Sequence, residues 1–166
     1  MADGRKYILD QATAARKLQR MALEIAEQNA GEKELILAGI ADNGVMLAHL
    51  LAELISSSAG IPSRLITITL DKRKPADIVL SESPDFNDKV IILVDDVANS
   101  GKTMLYALRP FLQQHPRKIQ TAVLVGRSHS SFPVHTDYVG LSVATTLQEH
   151  IFVEVDGTTV TGAYLQ

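Results

Sequence analysis

The segment VIILVDDVANSGKT, residues 90–103, decides the fold. Its first half is an aliphatic run of strand length, which reads as a buried strand. The run ends in two adjacent carboxylates, Asp95 and Asp96. The loop Val97, Ala98, Asn99, Ser100, Gly101, Lys102 and Thr103 then leads into a helix. Like charges side by side repel, and partial burial strengthens the repulsion. Such a pair calls for a cation or for hydrogen-bond donors from a ligand. The loop suits an anion: backbone N–H groups are unpaired at a helix start, Gly101 permits close approach, and Ser100 and Thr103 carry hydroxyls. A nucleotide-hydrolase phosphate loop needs a glycine five residues before the Gly-Lys-Thr. Asp96 stands there. A receiver-type acidic pair follows the first strand of its fold, and too little chain remains after Asp95 for that arrangement.

Working outward, the same alternation of elements recurs. Residues 11–29 read as an amphipathic helix with Asp10 as its N-cap. LILAGI (residues 35–40) reads as a buried strand, ADNG as the turn after it, and residues 45–57 as a second helix. RLITITL (64–70) is rich in β-branched residues and reads as a strand. Residues 71–88 are charged and hold Pro75 and Pro84, which suits a long binding loop with a short hairpin. After KVIILV (89–94), a helix over 102–115 is bent or ended by Pro110. Strands follow at IQTAVLVG (119–126) and DYVGLSV (137–143). A C-terminal hairpin turns at Asp156-Gly157. Strands alternating with helices imply a single α/β domain over residues 1–166, built on a mostly parallel sheet flanked by helices. Ligands bind such sheets at the carboxyl ends of the strands. That rim gathers residues 95–103, 41–44 and 71–88.

Composition narrows the classes. The chain has 166 residues, 46% hydrophobic and 21% charged, with net charge −3 and no cysteine. Disulfides and thiolate chemistry are excluded. Aromatic residues are 5% and Trp is absent, so stacking platforms for single-stranded nucleic acid are not evident. The N-terminus lacks the apolar core of a signal peptide, and no segment has bilayer length. A cytoplasmic protein with no membrane partner is expected.

With the acids and loop read together, residues 90–103 resemble the phosphoribosyl pyrophosphate motif of type I phosphoribosyltransferases. YILDQATAARKLQRMALEIAEQN, LILAGIADNGVMLAHLLAELI, LITITLDKRKP and AVLVGRSHSSFPVHTDYVG extend the resemblance over nearly the whole chain. They match the subfamily of bifunctional pyrimidine operon attenuation regulators with uracil phosphoribosyltransferase activity. The resemblance implies a small hood over the sheet and a reaction in which a nucleobase nitrogen, uracil favoured, displaces pyrophosphate. It implies phosphoribosyl pyrophosphate bound with magnesium, the ion being carried by the ligand. On this resemblance Asp95 and Asp96 hold the ribose hydroxyls, and residues 98–103 cradle the 5-phosphate. Ala41, Asp42, Asn43 and Gly44 form the pyrophosphate loop, and Lys72 or Arg73 meets pyrophosphate from a closing loop. His129 lines the base region on the same resemblance, Arg127 either pairs with a carboxylate or sits near the base site, and a homodimer or homotetramer is implied.

The chain departs from the subfamily at two places. The pyrophosphate loop, commonly Lys-Thr-Arg-Gly, is Ala-Asp-Asn-Gly here. The late region has Leu141 and the run TTLQEH (145–150) in place of several cations. The first departure keeps open a non-catalytic sensor of a nucleotide or of phosphoribosyl pyrophosphate. The second, with the negative net charge, disfavours RNA as a partner. His49, His115, His135 and His150 carry no ligand pattern.

Overall fold

A computed structural model describes residues 4–146 and 148–166. Met1, Ala2, Asp3 and Leu147 of the late run lie outside the described residues. The chain runs β1 (Lys6–Asp10), α1 (Gln11–Gln28), β2 (Leu35–Ile40), α2 (Asn43–Ala59), β3 (Ser63–Thr69) and β4 (Val79–Leu80). It continues through β5 (Val90–Ala98), α3 (Lys102–Ala107), a 3-10 helix (Arg109–Gln113), β6 (Lys118–Arg127), β7 (Tyr138–Val143), β8 (Ile151–Asp156) and β9 (Thr159–Leu165).

Six strands form the main sheet in the order β4-β3-β2-β5-β6-β7, parallel except for the antiparallel edge strand β4. Every residue of β2 is buried, as expected when helices cover both faces. Alternation along the strands feeds two cores. Leu35 and Leu37 of β2, with Val90, Ile92 and Val94 of β5, meet Leu18, Met21 and Ile25 of α1 and Leu47 and Leu51 of α2. Ile36, Ala38 and Ile40, with Ile91 and Leu93, meet Phe86, Met104 and Phe111 on the other face. Phe86 and Phe111 pack edge to face at 4.9 Å.

β1, β9 and β8 form a separate antiparallel sheet. It is the hood, joined to the main body through Leu9, Ile151, Val160 and Ala163 in the α1/α2 core. Asp10 caps α1 by accepting from the Thr13 N–H at 2.7 Å.

Several sequence expectations change. The fifth strand runs through both aspartates to Ala98, because β6 offers a continuous parallel ladder up to the pair Ala98↔Gly126. The helix expected over 102–115 is six residues of α-helix followed by a 3-10 turn. Pro110 falls in the first turn of the 3-10 segment, where its missing N–H costs no hydrogen bond. The C-terminal hairpin pairs Asp156 with Thr159, so its two-residue loop is Gly157-Thr158, one position later than expected. Gly157 takes φ +60° there, which suits the first position of a hairpin turn. The expected hairpin in 71–88 is the two-residue β4 laid against β3.

Candidate active site

β5 outruns its neighbour. Its pairing with β2 ends at Gly39↔Val94, while its pairing with β6 continues. The acids therefore stand on a strand held on one side and open on the other. The open side is a cavity of 410 Å³. Its walls come from Asp95 through Met104, from Asn43 and Lys72, and from Ile151, Phe152 and Val153 of the hood.

Successive side chains on a strand leave it in opposite directions, and the two carboxylates meet different partners. Asp95 is 1% exposed. Its oxygens accept from Lys72 Nζ at 3.2 and 3.3 Å and from the Asp96 N–H at 2.9 Å. Burial, and then the neighbouring Asp96 charge, push its pKa up to about 7, against the pull of Lys72. Asp96 accepts from the Val97 N–H at 2.8 Å and from the Asn43 side-chain amide at 3.0 Å. Lys72 Nζ also lies 3.9 Å from Asp96. Lys72 itself is 42% exposed. The acids are thus fixed by the sheet, and their counter-charge arrives on a loop.

The loop after β5 is short because the strand is long. Gly101 takes φ +86°, and a Cβ there would meet the Phe132 carbonyl at 3.2 Å. Ser100 anchors the turn: its carbonyl accepts from the Ser131 and Phe132 N–H groups, and its hydroxyl accepts from the Lys102 N–H at 3.3 Å. Lys102 and Thr103 open α3 against the cavity. With α3 only six residues long, an anion here rests on the loop's own N–H and hydroxyl groups more than on a helix dipole.

On the other side, the Ala41–Asp42 peptide is cis. Asn43 is the residue of this loop that lines the main cavity. Gly44 is buried under β5, where a Cβ would lie 2.6 Å from the Val94 carbonyl. Asp42 is exposed and lines a separate groove beside Val45, Met46 and His49. Arg73 is exposed, and its backbone N–H closes a turn onto Asp71.

A smaller cavity of 190 Å³ lies behind the loop that follows β5. It shares Ala98, Asn99 and Gly101 with the first and adds Arg127, Ser130 and His135. The Arg127 guanidinium donates to the carbonyls of Thr146 and Glu149, fixing the segment that leads to the hood. His129 is exposed and lines neither cavity.

The hood residues Ile151, Phe152 and Val153 were not singled out from the sequence. Phe152 is 44% exposed and stacks on Tyr164 with 5.2 Å between ring centroids. Their signal, an apolar stretch in a C-terminal hairpin, marks a strand but not which cavity the strand covers. Among the described residues no group of three His, Cys, Asp or Glu side chains converges as a metal site. Among the described residues no helix is long and apolar enough to cross a membrane.

Comparison with known proteins agrees with this geometry. The phosphoribosyl transferase domain model matches residues 4–157. The chain is 38% identical over 159 residues to the bifunctional protein PyrR of Alkaliphilus metalliredigens, covering 90% of this chain and 87% of that one. It is 37% identical over 163 residues to the PyrR of Ligilactobacillus salivarius, covering 91% and 92%. The hypoxanthine phosphoribosyltransferase of Trypanosoma cruzi shares the fold, with TM-score 0.78, 15% identity and 97% coverage of both chains. A hypoxanthine-guanine phosphoribosyltransferase of Bacillus anthracis aligns with TM-score 0.73 and 18% identity over 88% and 86% of the two chains. The family model over most of the chain and relatives at 37–38% identity mark a pentosyl-transferring enzyme, and the chain belongs to the phosphoribosyl transferase family.

Proposed function

We propose that this protein transfers the phosphoribosyl group of phosphoribosyl pyrophosphate to a nucleobase nitrogen, with uracil the favoured acceptor. One observation carries the reading: Asp95, Asp96 and the loop through Thr103 line a single cavity. Two carboxylates accept hydrogen bonds from the ribose hydroxyls, while the loop holds the 5-phosphate. The anomeric carbon then faces the hood, where Phe152 offers a flat surface for a base. The base nitrogen forms its bond to that carbon as the carbon–oxygen bond to pyrophosphate breaks. Pyrophosphate leaves with the electron pair, and the nitrogen sheds its proton. The positive charge developing on the sugar is stabilised by the carboxylates already beneath it. Lys72, drawn off the acids when hydroxyls replace it, becomes free to meet the leaving group together with Arg73. Closure of residues 71–88 keeps water from the donor.

Magnesium suits this donor set. Asp95 and Asp96 supply hard oxygens but no complete cage, which fits an ion that takes most of its ligands from phosphates and water. When bound, it supplies charge neutralisation on the pyrophosphate.

A second reading has its own observation. Residues 41–44 contain no cation, and the Asn43 amide is turned to Asp96 rather than outward. That loop is the observation behind this second reading, a non-catalytic sensor of a nucleotide or of phosphoribosyl pyrophosphate. RNA is disfavoured as a partner by the net charge of −3. A homodimer or homotetramer in the cytoplasm remains the expectation carried by the resemblance.

Pyrophosphate release from phosphoribosyl pyrophosphate, measured with uracil and a panel of other bases, tests the first reading. Turnover with at least one base is expected. Tight donor or nucleotide binding with no turnover on any base overturns it in favour of the sensor.

A further inference from the structure

Asn43 has a geometry that pyrophosphate binding does not explain. It is the first residue of α2. Its side-chain amide donates to Asp96 Oδ2 at 3.0 Å and to the Val153 carbonyl of β8 at 3.3 Å. Both amide hydrogens are thereby used. The other Asp96 oxygen, Oδ1, takes the Val97 N–H. The carboxylate plane is held from two sides, by its own strand and by α2.

The position of Asn43 is fixed by its neighbour. Gly44 lies so close to β5 that a Cβ would fall 2.6 Å from the Val94 carbonyl and 3.1 Å from the Asp95 Cα. The start of α2 therefore packs on β5 at backbone distance. Lys72 differs in this respect. It reaches the acids from an exposed loop. Asn43 sits on a helix start packed against β5, and being neutral it holds Asp96 without cancelling its charge.

We propose that Asn43 is a positioning residue: one amide orients Asp96 for the ribose hydroxyls and ties the hood strand β8 to the acidic pair. This rests on the reading that Asp96 accepts from the ribose. The tie gives the hood a reason to sit over the sugar, since its Val153 carbonyl shares a donor with the residue that reads the sugar.

Asn43→Ala and the near-isosteric Asn43→Leu, which keeps the volume, adds no charge and removes the donors, test it. Calorimetric binding of uridine 5′-monophosphate is expected to weaken by about tenfold in both, as suits loss of a hydrogen bond to a charged group. Binding of 2′,3′-dideoxyuridine 5′-monophosphate, which has no hydroxyls for Asp96, is expected to change less than twofold. Amide hydrogen exchange measured without ligand is expected to quicken across Ile151–Asp156 and to stay as in the parent across Lys118–Arg127. Equal losses for the two nucleotides overturn the orienting role, and unchanged β8 exchange overturns the tie. A parent protein that binds neither nucleotide fails the reading of the site itself and with it the orienting role, and exchange then decides the tie alone. If Asn43→Ala does not fold, the near-isosteric variant carries both measurements.

Discussion

Two neighbouring strand ends of the same sheet are built alike and equipped differently. β2 and β5 are parallel partners, and each passes through a short turn into a helix. The end of β5 carries two carboxylates, a serine, a lysine and a threonine around one cavity. The end of β2 carries Ala41, Asp42, Asn43 and Gly44, and the one side chain that enters the cavity is spent on Asp96. The β5 end is rich in polar side chains around the cavity, whereas the β2 end offers it one. The same frame therefore does not impose the same charge, and the two halves of the site answer to separate substitutions.

The largest effect lies on the β5 side. Asp95→Asn or Asp96→Asn is expected to weaken nucleotide binding by about ten- to a hundredfold, the range for hydrogen bonds to charged groups, as read by calorimetry. Asp95→Asn carries an opposite effect on stability. Folded Asp95 holds its proton up to about pH 7, and its ordinary carboxylate value is 3.8. Between those values the folded state binds the proton that the unfolded state has released, so stability falls as pH rises from about 4 to 7 and levels off above. Denaturant unfolding of the parent across that window is expected to show the fall. At pH 8 Asp95→Asn is expected to be more stable than the parent and poorer at binding. A parent profile that rises over the same window breaks the assignment of a destabilising buried charge.

A smaller effect tests the β2 side. Ala41→Lys adds one cation to residues 41–44, the proposed pyrophosphate loop. It is expected to tighten phosphoribosyl pyrophosphate by roughly two- to fivefold relative to a nucleoside monophosphate, the scale of a partly exposed ion pair. Equal gains for both ligands would show that the loop does not face pyrophosphate.

The smallest effect belongs to the loop that serves both halves. Lys72→Met removes the cation that holds the Asp95 pKa down. The midpoint of the pH dependence of nucleotide binding is expected to move upward. A midpoint that stays put or moves down would mean that Lys72 leaves the acids in solution.

Much of this frame was legible before any coordinates. β2, β5 and β6 are apolar runs with two covered faces, and α1 has both a period and a cap. The acids were legible because nothing in a turn explains two of them. What escaped notice depends on distant partners. β1 has a mostly exposed pattern and exists because β9, near the other end of the chain, pairs with it. Local propensity says little about such a strand. The continuation of β5 through Asp95 and Asp96 runs against the ordinary depletion of Asp in strands, and the β6 ladder overrides it. Phe152 and Val153 reach the cavity by way of a second sheet, which no pattern of alternation along β8 encodes. Asn43 looked like a loop residue; that both its hydrogens face inward is a matter of three elements meeting.

Two glycines described above set a boundary on what this site can become. A Cβ on Gly39 would fall 2.6 Å from the Gly44 carbonyl, and one on Gly44 would fall 2.6 Å from the Val94 carbonyl. Strand, helix start and neighbouring strand are nested at backbone distance, with no side chain between them. The turn they enclose is held at both ends, while Ala41 is half-buried and Asp42 exposed on it. It works as a cassette of exchangeable charge on an immovable hinge: its electrostatics can be rewritten one residue at a time while the acids beside it keep their place.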